Sequence, residues 1–181
     1  MNVNNGNISG ATGYSPAPQA PENTPEGTCF GKSVIVMDAE SFHRSASIYD
    51  AEGVKQATFS MRDQITSAKL STDDTRAVVS TRDGAASTYV KSADSSWFFQ
   101  DHITPADLSA DGNRAVINNR DGVAKIYIKD ADGVWFLQDS IAPADLRDDG
   151  TRAEITTDGV AKTYAKDADG LWFLQDTSME R

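Results

Sequence analysis

The sequence predicts an all-β fold built from a repeated unit, and three observations carry that expectation. Residues recur at a fixed spacing: Trp97, Trp135 and Trp172 stand 38 and 37 apart, Arg76, Arg114 and Arg152 stand 38 and 38 apart, and Tyr89, Tyr127 and Tyr164 stand 38 and 37 apart. A constant period of this size marks a repeated supersecondary unit. Short segments lie between Asp-Gly pairs at Asp83, Asp111, Asp121, Asp132, Asp149, Asp158 and Asp169. Such segments read as strands joined by hairpins, because Gly accepts positive φ and Asp tolerates it. No segment sustains a 3.6-residue apolar period, so little helix is expected.

The chain opens with a different composition. Residues 1–31 contain no Lys or Arg, only two acidic residues (Glu22 and Glu26), and four of the six prolines. Little apolar surface is available there to offset the entropy of ordering, so this leader is expected to be disordered. It lacks the basic start and apolar stretch of a secretory signal peptide. Glu26-Gly27-Thr28-Cys29-Phe30-Gly31-Lys32-Ser33 fails as a phosphate loop. Three residues, not four, separate Gly27 from Gly31, and the segment opens an expected strand rather than a helix. Cys29 is the one cysteine, which excludes an intrachain disulfide.

Residues 32–181 are read as the β-repeat domain, with units near 33–60, 61–101, 102–139 and 140–178. The clearest unit, 102–139, divides into Ile103–Leu108, Arg114–Asn118, Val123–Lys129 and Val134–Gln138. Alternation in the third segment puts Lys125, Tyr127 and Lys129 on one face and Ala124, Ile126 and Ile128 on the other. The equivalent apolar faces are Ala86, Thr88 and Val90 before it, and Ala161, Thr163 and Ala165 after it. Val134–Gln138 is apolar on both faces and is expected to be covered on both sides. The first unit is fainter: Ser33–Met37, Ala46–Tyr49 and Val54–Ser60 match the second, third and fourth segments, and a first strand is missing. About 15 strands are expected in all.

Four antiparallel strands in roughly 38 residues is the layout of a propeller blade. The run Leu108-Ser109-Ala110-Asp111-Gly112-Asn113-Arg114-Ala115-Val116, then Arg120-Asp121-Gly122, then Ile126-Tyr127-Ile128-Lys129-Asp130-Ala131-Asp132-Gly133, resembles the WD-like repeats of TolB-type propellers, with Ala110 where a proline is usual. The order Tyr127, Gly133, Trp135, Gln138, Ile141 is similar to FG-GAP-type repeats without their phenylalanine-glycine signature. These resemblances imply a small propeller-like domain of about four blades. A β-trefoil is the alternative, favoured by three strong repeats; near-continuous strands with two-residue turns and the faint fourth copy favour the propeller. Blade one lacks a strand, so ring closure needs a leader segment, a three-stranded blade or association between copies. An open strand edge invites a partner.

Three sets of recurring residues are candidates for ligand contact. Trp97, Trp135 and Trp172 suit stacking on sugar, or packing between units. Arg76, Arg114 and Arg152 suit an anionic ligand, or an ion-pair ladder with Asp101, Asp139 and Asp176. Asp130-Ala131-Asp132-Gly133 and Asp167-Ala168-Asp169-Gly170 read as hairpin turns rather than calcium loops, since the spaced loop with a distal Glu is absent. His43 and His102 have no recognisable nucleophile partner. No catalytic, cofactor or metal constellation is expected.

Net charge is −10, which disfavours nucleic acid and anionic membrane surfaces as partners. The expected function is a noncatalytic protein-binding module, with a lectin-like carbohydrate-binding repeat protein as the alternative. The leader resembles the uncharged, Ser-, Asn-, Thr- and Pro-rich export segments of bacterial type III secreted effectors. That resemblance implies a secretion chaperone and a host protein as partners and delivery into a host cell; without it, the bacterial cytoplasm is the expected location.

Overall fold

In the computed structural model, residues 33–39 and 42–179 are described, and they belong to one unit, Gly31–Arg181. The leader, Cys29 and the failed phosphate loop up to Lys32 lie outside the described residues. Four antiparallel sheets follow one another, each made only of strands consecutive in the chain. Sheet 1 holds β1 (Val34–Met37), β2 (Ser45–Tyr49) and β3 (Lys55–Ser60). Sheet 2 holds β4 (Ile65–Leu70), β5 (Arg76–Thr81), β6 (Ala86–Lys91) and β7 (Trp97–Ile103). Sheet 3 holds β8 (Arg114–Asn118), β9 (Ala124–Lys129) and β10 (Trp135–Ile141), and sheet 4 holds β11 (Arg152–Thr157), β12 (Val160–Lys166) and β13 (Trp172–Met179). This is a propeller-like repeat of four blades. A trefoil is excluded because its units share one barrel, whereas these strands pair only inside their own sheet.

The described strands number 13, not about 15. The two expected strands that fail are Ile103–Leu108 and its counterpart at the start of the 140–178 unit. Each contains a proline, and Pro105 and Pro143 instead open short 3-10 turns, Pro105–Asp107 and Pro143–Asp145. Proline has no N–H for a ladder and its φ suits the first position of a turn. Asp107 accepts from the Thr104 N–H and Asp145 from the Ala142 N–H, both at 2.7 Å, which closes the turns. Only single bridges survive of these innermost strands, Leu108 to Ala115 and Leu146 to Ala153. β4 contains no proline and is a full strand. Ile103 and Ile141 end the preceding strands and are buried.

Three buried clusters join the sheets in chain order. Ala46, Ile48 and Phe59 of sheet 1 meet Ile65, Ala77, Val79 and Tyr89 of sheet 2. The other face of sheet 2, with Val78, Ala86 and Ile103, meets Ala115, Tyr127, Val134 and Trp135. The far face of sheet 3, with Val116, Ala124, Ile126 and Ile141, meets Ala153, Tyr164 and Trp172. Each inner sheet is therefore covered on both sides, which is why Tyr127 and Ile126, neighbours on opposite faces of β9, are both fully buried. Val134–Gln138 follows the same rule only in part: Val134 and Trp135 are buried, while Phe136, Leu137 and Gln138 are half-buried towards the rim.

The far face of sheet 4 has no such cover. By register it carries Arg152, Glu154, Thr156, Ala161, Thr163, Ala165, Asp176 and Ser178. Arg152, Thr156, Asp176 and Ser178 are exposed. Among the described residues, the four sheets thus form an open arc rather than a closed ring. No helix among them is long and apolar enough to cross a membrane.

The Asp-Gly turns differ from two-residue hairpins in all but one case. At Asp158-Gly159 both residues have positive φ, 52° and 76°, and Thr157 pairs directly with Val160. This is the primed two-residue turn. The matching loop before it has three residues: the Asn119 N–H donates to the Val123 carbonyl, and only Gly122 has positive φ. The one-residue slip in the repeat is therefore a change of turn type. In the longer turns the aspartate works through its side chain. Asp121 accepts from the Val123 N–H, and Asp130 and Asp167 each accept from two backbone N–H groups. Hydroxyls add to this at Asp73, where the Ser71 and then the Thr75 side chain hold the carboxyl down to about 2.

In sheet 2 the glycine of this turn is replaced by Ser95, which takes φ 68°. A side chain in that region costs about 1–2 kcal/mol. Ser95→Gly is expected to raise unfolding stability by about 0.5–1 kcal/mol in urea titration. Gly122→Ala is expected to lower it by about 1–2 kcal/mol, since its Cβ would stand 3.0 Å from Pro143 Cγ at φ +85°.

Candidate functional site

The recurring polar residues meet at the joints between sheets. The bulge that shifts register between Thr88 and Tyr89 puts Asp101 opposite Thr88, on the face of sheet 2 that looks at sheet 3. There the Tyr127 hydroxyl donates to Asp101 Oδ2, and Lys125 Nζ donates to both carboxylate oxygens at 3.0 and 2.8 Å. The next joint repeats the arrangement: Asp139 Oδ2 accepts from the Tyr164 hydroxyl and, at 2.8 Å, from Lys162 Nζ. Burial and the adjacent carboxylate push both tyrosine hydroxyls well above their usual range, burial being the larger cause.

A second contact crosses each joint nearer the rim. Arg76 pairs with Asp130 at 3.3 Å and lies 5.3 Å from the centroid of the Phe136 ring. Arg114 pairs with Asp167 at 2.6 Å and lies 5.8 Å from the Phe173 ring. The arginines thus form an ion-pair ladder, but their partners are the Asp-Ala-Asp-Gly turns of the following sheet. The expected partners, Asp101 and Asp139, are taken by Lys-x-Tyr instead. Asp130 and Asp167 cap a turn through one oxygen and receive an arginine at the other.

The tryptophans face the joints. Trp135 and Trp172 are 4% and 3% exposed, so they offer no free ring to a sugar. Trp97 is half-buried against the cluster between sheets 1 and 2. A lysine lies over each ring: Lys91 over Trp97, Lys129 over Trp135 and Lys166 over Trp172, at 5.7, 4.6 and 4.8 Å. Of the six candidate contacts, Arg152 is the one fully on the surface; among the described residues it makes no ion pair like those of Arg76 and Arg114. The sequence analysis set Lys125 beside Tyr127 but did not find the pairing of Lys125 and Lys162 with these aspartates, although a lysine two residues before a repeating tyrosine, with an aspartate near the end of the preceding unit, was there to be read.

The joint between sheets 1 and 2 is built differently. Ser87 stands where Lys125 does, and it bonds His102 Nδ1 at 3.1 Å. Tyr89 stacks on Phe59 with centroids 3.8 Å apart. Phe99 meets the edge of Tyr89 at 5.8 Å, yet Phe98 and Phe99 remain 53% and 59% exposed on β7, the outer edge strand of sheet 2. His43 is exposed and lies with Phe42 in a turn at positive φ. Arg44, Asp63, Gln64, Arg82 and Asp83 line a shallow depression. The arrangement supplies paired charges and apolar edges, and the Ser87 hydroxyl is a partner of His102 that the sequence analysis did not identify.

A tyrosine with a raised pKa holds its proton in the fold when the unfolded chain has lost it. Its stabilisation is complete below about pH 10 and declines as pH rises beyond that. The urea midpoint is expected to stay level from neutral pH to about 9 and to fall above 10. Tyr127→Phe and Tyr164→Phe should each cost about 1.5–3 kcal/mol at neutral pH, since a hydrogen bond to a charged group is lost. Together they should flatten the alkaline decline.

No protein-family model matches the chain, and no curated protein matches it. Solved structures do. A protein from Lactobacillus plantarum aligns with 76% of this chain and 50% of its own, at 18% identity and a TM-score of 0.31. Hsv2 from Kluyvelomyces marxianus aligns with 82% of this chain and 59% of its own, at 8% identity and a TM-score of 0.38. A proposed 6-phosphogluconolactonase from Bacteroides fragilis aligns with 81% of this chain and 54% of its own, at 13% identity and a TM-score of 0.28. The chain spans about half to three fifths of the length of these proteins. At such scores they carry no function over, and the propeller-like fold stands on its own strand pairing.

Proposed function

We propose that this chain is a noncatalytic protein-binding module that engages its partner through a blade edge. The observation that carries this reading is the pair Phe98 and Phe99, successive exposed aromatics on the edge strand β7. An edge strand presents unpaired backbone groups, and flanking aromatics supply the apolar anchors that a docked strand needs. The recurring charged groups support the same reading in another way: most of those that a ligand would use are spent in holding the sheets together.

The composition of residues 1–31 supports delivery by a type III route, which makes the natural partner a host protein and adds a secretion chaperone for export. A reporter fused to residues 1–31 is then exported in a type III-dependent manner; no export removes the effector context and leaves the binding module standing.

Immobilised full-length chain is expected to retain specific proteins from a eukaryotic cell lysate. The double variant Phe98→Ser, Phe99→Ser should lose them by about tenfold or more. A wild-type chain that retains nothing, or a double variant that retains the same set, would overturn the edge-binding reading.

A further inference from the structure

We propose that the outer face of sheet 4 is a second docking face, which takes a basic-aromatic β-hairpin of a partner protein carrying Lys-x-Tyr followed by an acidic turn. This face is separate from the β7 edge, and its test does not depend on that edge.

The far faces of sheets 2 and 3 each present an arginine and an aspartate, and the next sheet answers both. Arg76 and Asp101 receive Asp130 and the pair Lys125 and Tyr127. Arg114 and Asp139 receive Asp167 and the pair Lys162 and Tyr164. The far face of sheet 4 repeats the questions. Arg152 aligns with Arg76 and Arg114, and Asp176 with Asp101 and Asp139. Both are exposed, and among the described residues neither has the cross-sheet partner that its counterparts have. The Arg152 charge helps to hold Asp149 below its usual range, behind the larger effect of the Thr151 N–H and side chain.

Between these two charges the face has changed character. Val78 and Val116 give way to Glu154, Ile103 and Ile141 to Ser178, and Val90 and Ile128 to Ala165. Glu154 is held by Arg147, and both line a shallow open depression with Arg152 and Thr163. A greasy face would demand permanent cover. A polar face that keeps its two charged readers suits reversible docking, in which charge complementarity sets the choice of partner.

A second copy of this chain is a poor occupant. Aligned through its turn Asp50-Ala51-Glu52-Gly53, sheet 1 carries Ser45 and Ser47 in the places of Lys125 and Tyr127. Both hydroxyls donate to Asp38, at 3.0 and 3.1 Å. Asp176 would meet another carboxylate there instead of an ammonium.

The probe is a hairpin peptide of the sequence Lys162–Thr177, cyclised end to end, which carries Lys162, Tyr164, Asp167 and Trp172 in one piece. Added to the full chain and followed by NMR shift titration, it should bind saturably, with shifts at Arg152, Thr163 and Asp176. Arg152→Glu and Asp176→Lys should each weaken binding about tenfold or more, and Glu52→Gln in the exposed turn between β2 and β3, on another sheet, should not. No saturation at millimolar peptide, or binding that ignores both substitutions, would overturn the proposal. Sedimentation is run alongside: self-association lost on Arg152→Glu would make the occupant a second copy and overturn it too. Loss of the β7-dependent captures leaves these readouts untouched, so the two proposals fail separately.

Discussion

A sheet with two apolar faces has to be covered twice, and everything else in this domain follows from that. Sheets 2 and 3 meet the requirement by lying between neighbours. The far face of sheet 4 has no neighbouring sheet among the described residues, and Glu154 and Ser178 make it less apolar than its counterparts. On sheet 1, Ser45 and Ser47 point away from the first cluster, are buried, and bond Asp38. Terminal units of stacked repeats need such polar outer faces to stay soluble. The period seen in the sequence is thus a period of interfaces, and its departures mark where an interface stops.

Apolar burial is non-directional, so packing alone leaves sheets free to slide over one another. The carboxylates of Asp101 and Asp139 fix the register. Each accepts from a hydroxyl and an ammonium that reach it from different residues of the facing strand. Removing one partner would leave a part-buried charge with half its contacts, so the tyrosine and lysine work as a unit. The first joint is built differently. There Phe59 and Tyr89 stack, and Asp74 accepts from the Ser33 hydroxyl, just before β1, and from Lys91 of its own sheet.

Much of this fold was legible from spacing alone. Trp135 and Trp172 recur because each plugs a joint, and their flanking Asp-Gly turns bound the strands. The innermost strands were misread because Ile103 and Leu108 bracket a proline, and apolar ends outweighed the missing N–H in that reading. The arginines were recognised as ion-pairing, but their partners were sought at the wrong aspartates. Sequence order places Asp101 close to Arg114, whereas the stacking of sheets brings Asp167 to it from 53 residues away. Which face a side chain takes depends on the bulges in β7, β10 and β13, and a bulge leaves no distinct residue type behind. The exposure of Phe98 and Phe99 was hidden for the same reason: their counterparts Phe136 and Leu137 differ little in chemistry but are half-buried.

The second and third joints use the same pair of recognitions, Arg to turn aspartate and aspartate to Lys-x-Tyr. A unit that enters on one code and leaves on the same code is interchangeable with its neighbour. An array built this way can lengthen or shorten by whole modules, because each added copy finds its contacts already specified. The same property exposes the growing chain to mistaken identity, since a hairpin from the fourth module could settle on the second before the third arrives. The distinct aromatic joint at the start gives assembly a fixed end from which to count.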